Sequence, residues 1–166
     1  MARKPGSMYH SIKQQSFTRK EYMCCIPTSR ITHFVLGNKK GVFHVNLYLC
    51  SNEQYQIRHS ALESACIKMN RFLDKKAGVL DYKFSVNVYP YHVLKENNQS
   101  TDAGADRVSQ GICTSYRKIV VIDARIKQKQ VIMSIEKFER NIEISKDALR
   151  KGTSELPSPS IIKNVS

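Results

Sequence analysis

Residues 60–78 constrain the fold more tightly than any other segment of the chain. Leu62, Ala65, Cys66, Met69, Phe72 and Leu73 recur at intervals of three and four, one apolar stripe along a helix. A helix with such a stripe needs a partner surface to cover it. Its ends are also marked. Ser60-Ala61-Leu62-Glu63 has the form of a capping box, with Ser60 as N-cap and Glu63 reaching back to it. Lys75 and Lys76 suit the negative end of the helix dipole, and Gly78 supplies a left-handed stop.

The segments around this helix carry the period of strands. Val45, Leu47 and Leu49 alternate with His44, Asn46 and Tyr48, continuing from Phe43. Tyr82, Phe84, Val86 and Val88 alternate in the same way until Pro90, and Tyr91 to Lys95 resumes after the bend. Ile119 to Ile126 is strongly β-forming. Lys127-Gln128-Lys129 reads as a turn, and Val131 to Ile135 as the strand returning beside it. A second, shorter helix is expected from Asn141, as N-cap, to Lys151, with Gly152 at C′. Pro157 and Pro159 break the tail, after which Ile161-Ile162 can add an edge strand. Antiparallel strands with two helices on one face predict an α+β, two-layer sandwich. A chain of 166 residues suits one domain over 31–166, preceded by an extended basic arm over 1–30 that ends near Pro27. A long polar loop without a period occupies about 97–118.

Charge is concentrated in two places. Residues 1–40 hold eight Lys/Arg against Glu21, and residues 107–129 hold six against Asp123. Residues 41–106 balance to zero, although the whole chain carries +13. Two concentrated basic stretches beside a neutral body fit a polyanion. Neither is an amphipathic helix with a membrane-seeking face, and there is no apolar run of about 18 residues, so nucleic acid is favoured over a membrane. No apolar stretch follows the N-terminal charges, so a secretory signal is not expected. Candidate phosphate contacts are Arg3, Lys4, Lys13, Arg19, Lys20, Arg30, Lys39 and Lys40, then Arg107, Arg117, Lys118, Arg125 and Lys127. Tyr9, Phe17, Tyr22 and Tyr116 are interleaved and could stack on unpaired bases. If about eight cations neutralise phosphates, log K falls with log salt at a slope of about −6 to −7. Base contacts contribute only about 1–3 kcal/mol each, so phosphates supply the affinity and RNA shape the specificity.

Catalytic and metal readings are weaker. The odd set Cys24, Cys25, Cys50, Cys66 and Cys113 has no framework spacing, and reduced thiols are expected. Cys66 lies on the helix stripe and reads as a core hydrophobe. Cys24-Cys25 with His33 lacks the paired spacing of a zinc site. Asp102 and Asp106 lie in the loop beside Arg107, where turn formation is the better reading. Neither GxxxxGK nor GxGxxG occurs. No catalytic residue, metal site or cofactor is expected.

Several strings resemble one family. Met1-Ala2-Arg3-Lys4-Pro5 is similar to its basic opening, Gly37-Asn38-Lys39-Lys40 to its Leu-Gly-x-Lys-Lys turn, and Ser60 to Phe72 to its first helix. Tyr89-Pro90-Tyr91-His92-Val93 resembles its Pro-Phe-His-Val segment. More specific are Ala103-Gly104-Ala105-Asp106-Arg107 and Gln130-Val131-Ile132-Met133-Ser134-Ile135, and Asp147-Ala148-Leu149-Arg150 resembles its second helix. On these seven ordered matches the chain resembles the universal large-subunit ribosomal protein family called L-ten, or QM, in archaea and eukaryotes and L-sixteen in bacteria.

The resemblance, to the archaeal–eukaryotic branch, implies an α/β-hammerhead-like sandwich. It implies a structural, non-enzymatic constituent of the large subunit that binds rRNA below the central protuberance, near the five-S RNA and neighbouring ribosomal proteins. Asp102, Ala103, Gly104, Ala105, Asp106, Arg107 and Gly111 correspond to the loop that approaches tRNA. A ribosomal, cytoplasmic location is implied, with late subunit maturation, export factors and transit through the nucleus. The chain departs from the family after Gly111, where Ile112 to Ile122 lacks the usual glycines, and in a shortened C-terminus. A free-standing RNA-binding regulator is the competing reading. An RNA-modifying enzyme would need a base-flipping pocket that no motif here provides.

Overall fold

The computed structural model describes residues 6–96 and 118–165. Its elements are a five-residue helix α1 (Gly6–His10), strands β1 (Val35–Gly37), β2 (Val45–Ser51) and β3 (Tyr55–Arg58), helix α2 (His59–Lys76), strands β4 (Tyr82–Val86), β5 (His92–Glu96), β6 (Lys118–Ile126) and β7 (Val131–Lys137), helix α3 (Ile142–Thr153) and strand β8 (Ser160–Val165). Single 3-10 turns occupy Lys20–Tyr22 and Glu139–Asn141.

The fold is α+β, with every strand pairing antiparallel. One sheet has five strands in the order β1-β4-β7-β2-β8, and the other three in the order β3-β6-β5. The alternating residues of β2 and β4 bury Val45, Leu47, Leu49, Tyr82, Phe84 and Val86. Their other face is polar. Lys83 opposes Glu136 across the ladder and donates to it at 2.9 Å, and the hydroxyls of Ser85 and Ser134, also opposed, lie 2.6 Å apart. The α2 stripe of Leu62, Ala65, Cys66, Met69 and Leu73 joins the same buried cluster as β2, β4 and β7. Each large side chain so buried contributes about 1.5–3 kcal/mol relative to exposure.

The strands expected from alternation are present, but one pairing differs. β6 and β7 are not a hairpin, since β6 lies between β3 and β5 and β7 between β4 and β2. Lys129 adopts a left-handed φ of 64°, and the corner 127–130 is tied to Ser51 at the end of β2. Lys129 N–H donates to Ser51 O and Ser51 N–H to Gln130 O, both at 2.9 Å. The chain thus crosses between the sheets twice at one place, at 51–55 and at 127–130. α2 carries the chain back from β3 to β4, and Pro90, without an N–H to continue a ladder, lies on the crossing between β4 and β5.

Both helix starts and one helix end also differ in detail. α2 begins at His59, with Arg58 at the N-cap and no side-chain cap hydrogen bond, so Ser60 and Glu63 do not form the capping box. β3 runs directly into α2, which places Ser60 inside the first turn instead of before it. The far end is as expected: Gly78 has φ +89° and its N–H reaches Leu73 O. Asn141 precedes α3 without a side-chain cap bond, and its carbonyl oxygen accepts from Lys137 Nζ at 2.6 Å. Lys137 is fully buried, and that burial lowers its pKa to about 8. Gly152 is not a stop after α3 but a buried residue within it, where a Cβ would fall on the Met69 sulfur of α2. It lets the two helices approach closely.

Gly152→Ala gains roughly 1 kcal/mol of helix propensity but overpacks the helix contact by about 1–3 kcal/mol. It is expected to lower stability in denaturant titrations. Combining it with Met69→Ala should give a loss at least about 1 kcal/mol smaller than the sum of the single losses. Additive losses would mean that the two helices do not meet at this point.

Candidate nucleic-acid interface

The basic leader is seated on the three-stranded sheet by backbone contacts along its length. Gln56 Nε2, on β3, donates to Met8 O at 2.8 Å, and Arg125, on β6, donates through its guanidinium to Gln14 O. Phe17 N–H donates to His92 Nδ1 at 3.0 Å, while Val93 N–H on β5 donates to Phe17 O at 3.0 Å. The Phe17 ring stacks on His92 with centroids 5.9 Å apart, and the Lys95 ammonium lies 4.7 Å from its centre. Further on, Arg30 N–H donates to His59 Nδ1 at 2.8 Å.

This seating orients the leader's charged side chains outward. Lys13, Arg19, Lys20 and Arg30 are exposed, as are Lys39 and Lys40 in the turn after β1. Asn38 shapes that turn: its Oδ1 accepts from Lys40 N–H at 3.1 Å and Gly41 N–H at 3.0 Å. Gly37 before it has φ +80°, and a Cβ there would strike Tyr82 O. Among the described residues none of these six cations, nor Lys127, makes an ion pair. Cations left without internal partners are free to neutralise phosphates.

The second basic stretch is distributed differently from its linear spacing. Lys118 opens β6 and Lys127 follows its end, so nine strand residues place them about 30 Å apart. Arg125 lies between them with its guanidinium turned to the leader and 3.4 Å from His92 Nε2. It holds the arm in place instead of facing outward. Among the expected stacking rings, Tyr9 lies under Arg58, with the guanidinium carbon 5.5 Å from its centre, and Phe17 is taken up by His92. Tyr22 is 77% exposed. Arg3, Lys4, Tyr116 and the loop residues Asp102 to Arg107, Gly111, Cys113 and Arg117 lie outside the described residues.

Two features were not anticipated from spacing. His92 acts as the seat of the arm, a role signalled only by a histidine on an apolar strand beside proline. The cations Lys68, Arg71, Lys75 and Lys151 gather between α2 and α3. Three of them lie at i, i+3 and i+7 on α2, hidden in a region whose net charge is zero. Cys50 and Cys66 are buried, and burial, then Glu63, pushes the Cys66 thiol up to about 11, whereas Cys24 and Cys25 are exposed. Among the described residues no group of His, Cys, Asp and Glu could hold a metal ion.

His92 is 2% exposed, and burial, then the Arg125 charge, lowers its pKa to about 4. With Nδ1 accepting from Phe17, the neutral ring carries its proton on Nε2. The folded value lies below the ordinary 6.5, so this site's contribution to stability is complete above about pH 6.5. It declines as the pH falls toward 4. In an NMR titration the His92 ring and the Phe17 amide should shift together with a midpoint near 4. A midpoint near 6.5 would show that the ring is solvated and the arm unseated.

Residues 12–163 match the family model for ribosomal protein L16p/L10e. The large ribosomal subunit protein uL16 of Methanospirillum hungatei is 46% identical to this chain over 159 residues, covering 96% of the chain and 94% of the relative. The uL16 protein of Methanosphaerula palustris is 45% identical over 159 residues, covering 96% and 92%. That of Archaeoglobus fulgidus is 38% identical over 162 residues, covering 98% and 92%. With this identity sustained across both sheets and both long helices, the chain belongs to the ribosomal protein L16p/L10e family.

Proposed function

We propose that this chain is a structural constituent of the large ribosomal subunit that binds rRNA mainly through backbone phosphates. The observation that carries this reading is family membership over nearly the whole chain, joined to a seated leader whose exposed cations make no ion pair among the described residues. Such a protein orders RNA and catalyses nothing itself. Its partners are rRNA and neighbouring ribosomal proteins, and its place is the cytoplasmic ribosome. Among the described residues no helix is long and apolar enough to cross a membrane.

On this reading Lys13, Arg19, Lys20, Arg30, Lys39, Lys40 and Lys127 contact phosphates from the described surface. Arg3, Lys4, Arg107, Arg117 and Lys118 extend the contact from the leader's start and from the loop. Arg125 contributes indirectly by fixing the arm. The segment Asp102 to Gly111 approaches the tRNA sites, and the body lies in the neighbourhood of the five-S RNA. A role in late subunit maturation, with export factors and passage through the nucleus in a nucleated cell, completes the proposal.

Electrostatics supplies the test. Arg19→Glu with Lys20→Glu removes about two phosphate contacts, so the slope of log K against log salt for an rRNA fragment should flatten by about 1.5–2. In sucrose gradients the unaltered chain should migrate stoichiometrically with large subunits at moderate salt. A chain that stays at the top of the gradient, yet still binds RNA, would be a free-standing RNA-binding regulator instead. An unchanged slope in the double variant would remove the arm from the interface.

A further inference from the structure

The surface between α2 and the end of α3 forms an open groove of about 690 Å³. Ile67 and Phe72 form its apolar walls, and Ile67 is 40% exposed. Lys68, Arg71 and Lys75 run along its α2 side and Lys151 stands on the other. Glu155 is its one acid, and it is taken by Lys68 Nζ at 2.7 Å. Among the described residues Arg71 and Lys75 have no partner.

We propose that this groove is a docking site for an acidic, amphipathic segment of a neighbouring protein. Charge complementarity selects acidity: three cations remain after Lys68 is paired, with no free carboxylate among the lining residues. Geometry selects a segment with carboxylates at helical spacing. Lys68, Arg71 and Lys75 cover about 10.5 Å of α2, the length that an i, i+3, i+7 row of Glu or Asp spans on a facing helix. The apolar walls select a protein over RNA. A bare phosphate backbone leaves Ile67 uncovered, and the face of Phe72 where a base would stack already holds the Lys151 ammonium, 3.5 Å from the ring centre. Nor does the rest of the chain match. Residues 1–5 are basic, and residues 97–117 carry two Asp against two Arg with few apolar side chains. The groove is separate from the arm and turn cations assigned to RNA, so either assignment can fail alone.

The test places a photoreactive benzoylphenylalanine at Ile67 in the full chain, expressed in cells and recovered from the gradient fraction in which it sediments. After irradiation the adduct is digested with nuclease and protease and identified by mass spectrometry. The expected product is a peptide of another protein with Glu or Asp at helical spacing and apolar residues between. Arg71→Glu with Lys75→Glu should lower its yield at least tenfold, whereas Arg71→Lys with Lys75→Arg should retain it. Circular dichroism confirms that both variants fold. A nucleotide adduct, an adduct within the chain, a peptide without acidic character, or no adduct above the level of an exposed control at Lys129 would each overturn the assignment.

Discussion

Burial of the α2 stripe is the contact on which the remaining structure depends. Leu62, Ala65, Cys66, Met69 and Leu73 leave no exposed apolar edge along that face, and they meet β2, β4 and β7 in one cluster. The three strands lie side by side at the centre of the larger sheet. Since α2 starts directly from β3, its position also fixes where the smaller sheet begins. Gly152 then sets how near α3 can come. Helix, central strands and second helix are therefore positioned by one continuous packing surface, and the charged elements are hung from it.

The smaller sheet serves the leader. An arm of basic residues with little apolar content cannot form its own core. It is ordered here because β3, β5 and β6 offer it backbone partners through Gln56, Val93, His92 and Arg125. On the proposed reading, holding the arm before RNA arrives reduces the ordering entropy lost on association, so more of the phosphate attraction appears as affinity. The arrangement also divides the cations by task. Arg125 and Lys137 are committed to the protein's own structure, whereas Lys13, Arg19, Lys20, Lys39 and Lys40 remain in solvent.

Much of the fold was legible from local pattern. The stripe of α2, the stop at Gly78, the alternating strands 45–49 and 82–86 and the late edge strand at Ile161-Ile162 follow from period and turn chemistry. What escaped was non-local. Val131 to Ile135 alternates equally well beside β6 or beside β2, and the choice is made by the ties between Ser51 and residues 129–130, some eighty positions apart. Gly152 looked like a stop because glycine after lysine usually is one; only the nearness of Met69 reveals its purpose. On the surface, linear charge counting pointed to the leader and turn cations, which lie exposed. It could not distinguish Arg125, whose guanidinium is turned to Gln14, from its neighbours, and it passed over the α2 row because acids elsewhere in the segment cancel it.

The position of β8 has a consequence for the chain as it is made. Its partner β2 ends at Ser51, and the pairing register begins at Ser160, so about 110 residues separate the two sides of that ladder. At about 5–20 residues per second, synthesis of the intervening stretch takes about 5–20 s. During that interval the outer rim of β2 has unsatisfied amides and carbonyls, a template for wrong pairing with any extended neighbour. Until residues 160–165 follow, that rim of β2 stays open to wrong pairing, and the late strand closes it.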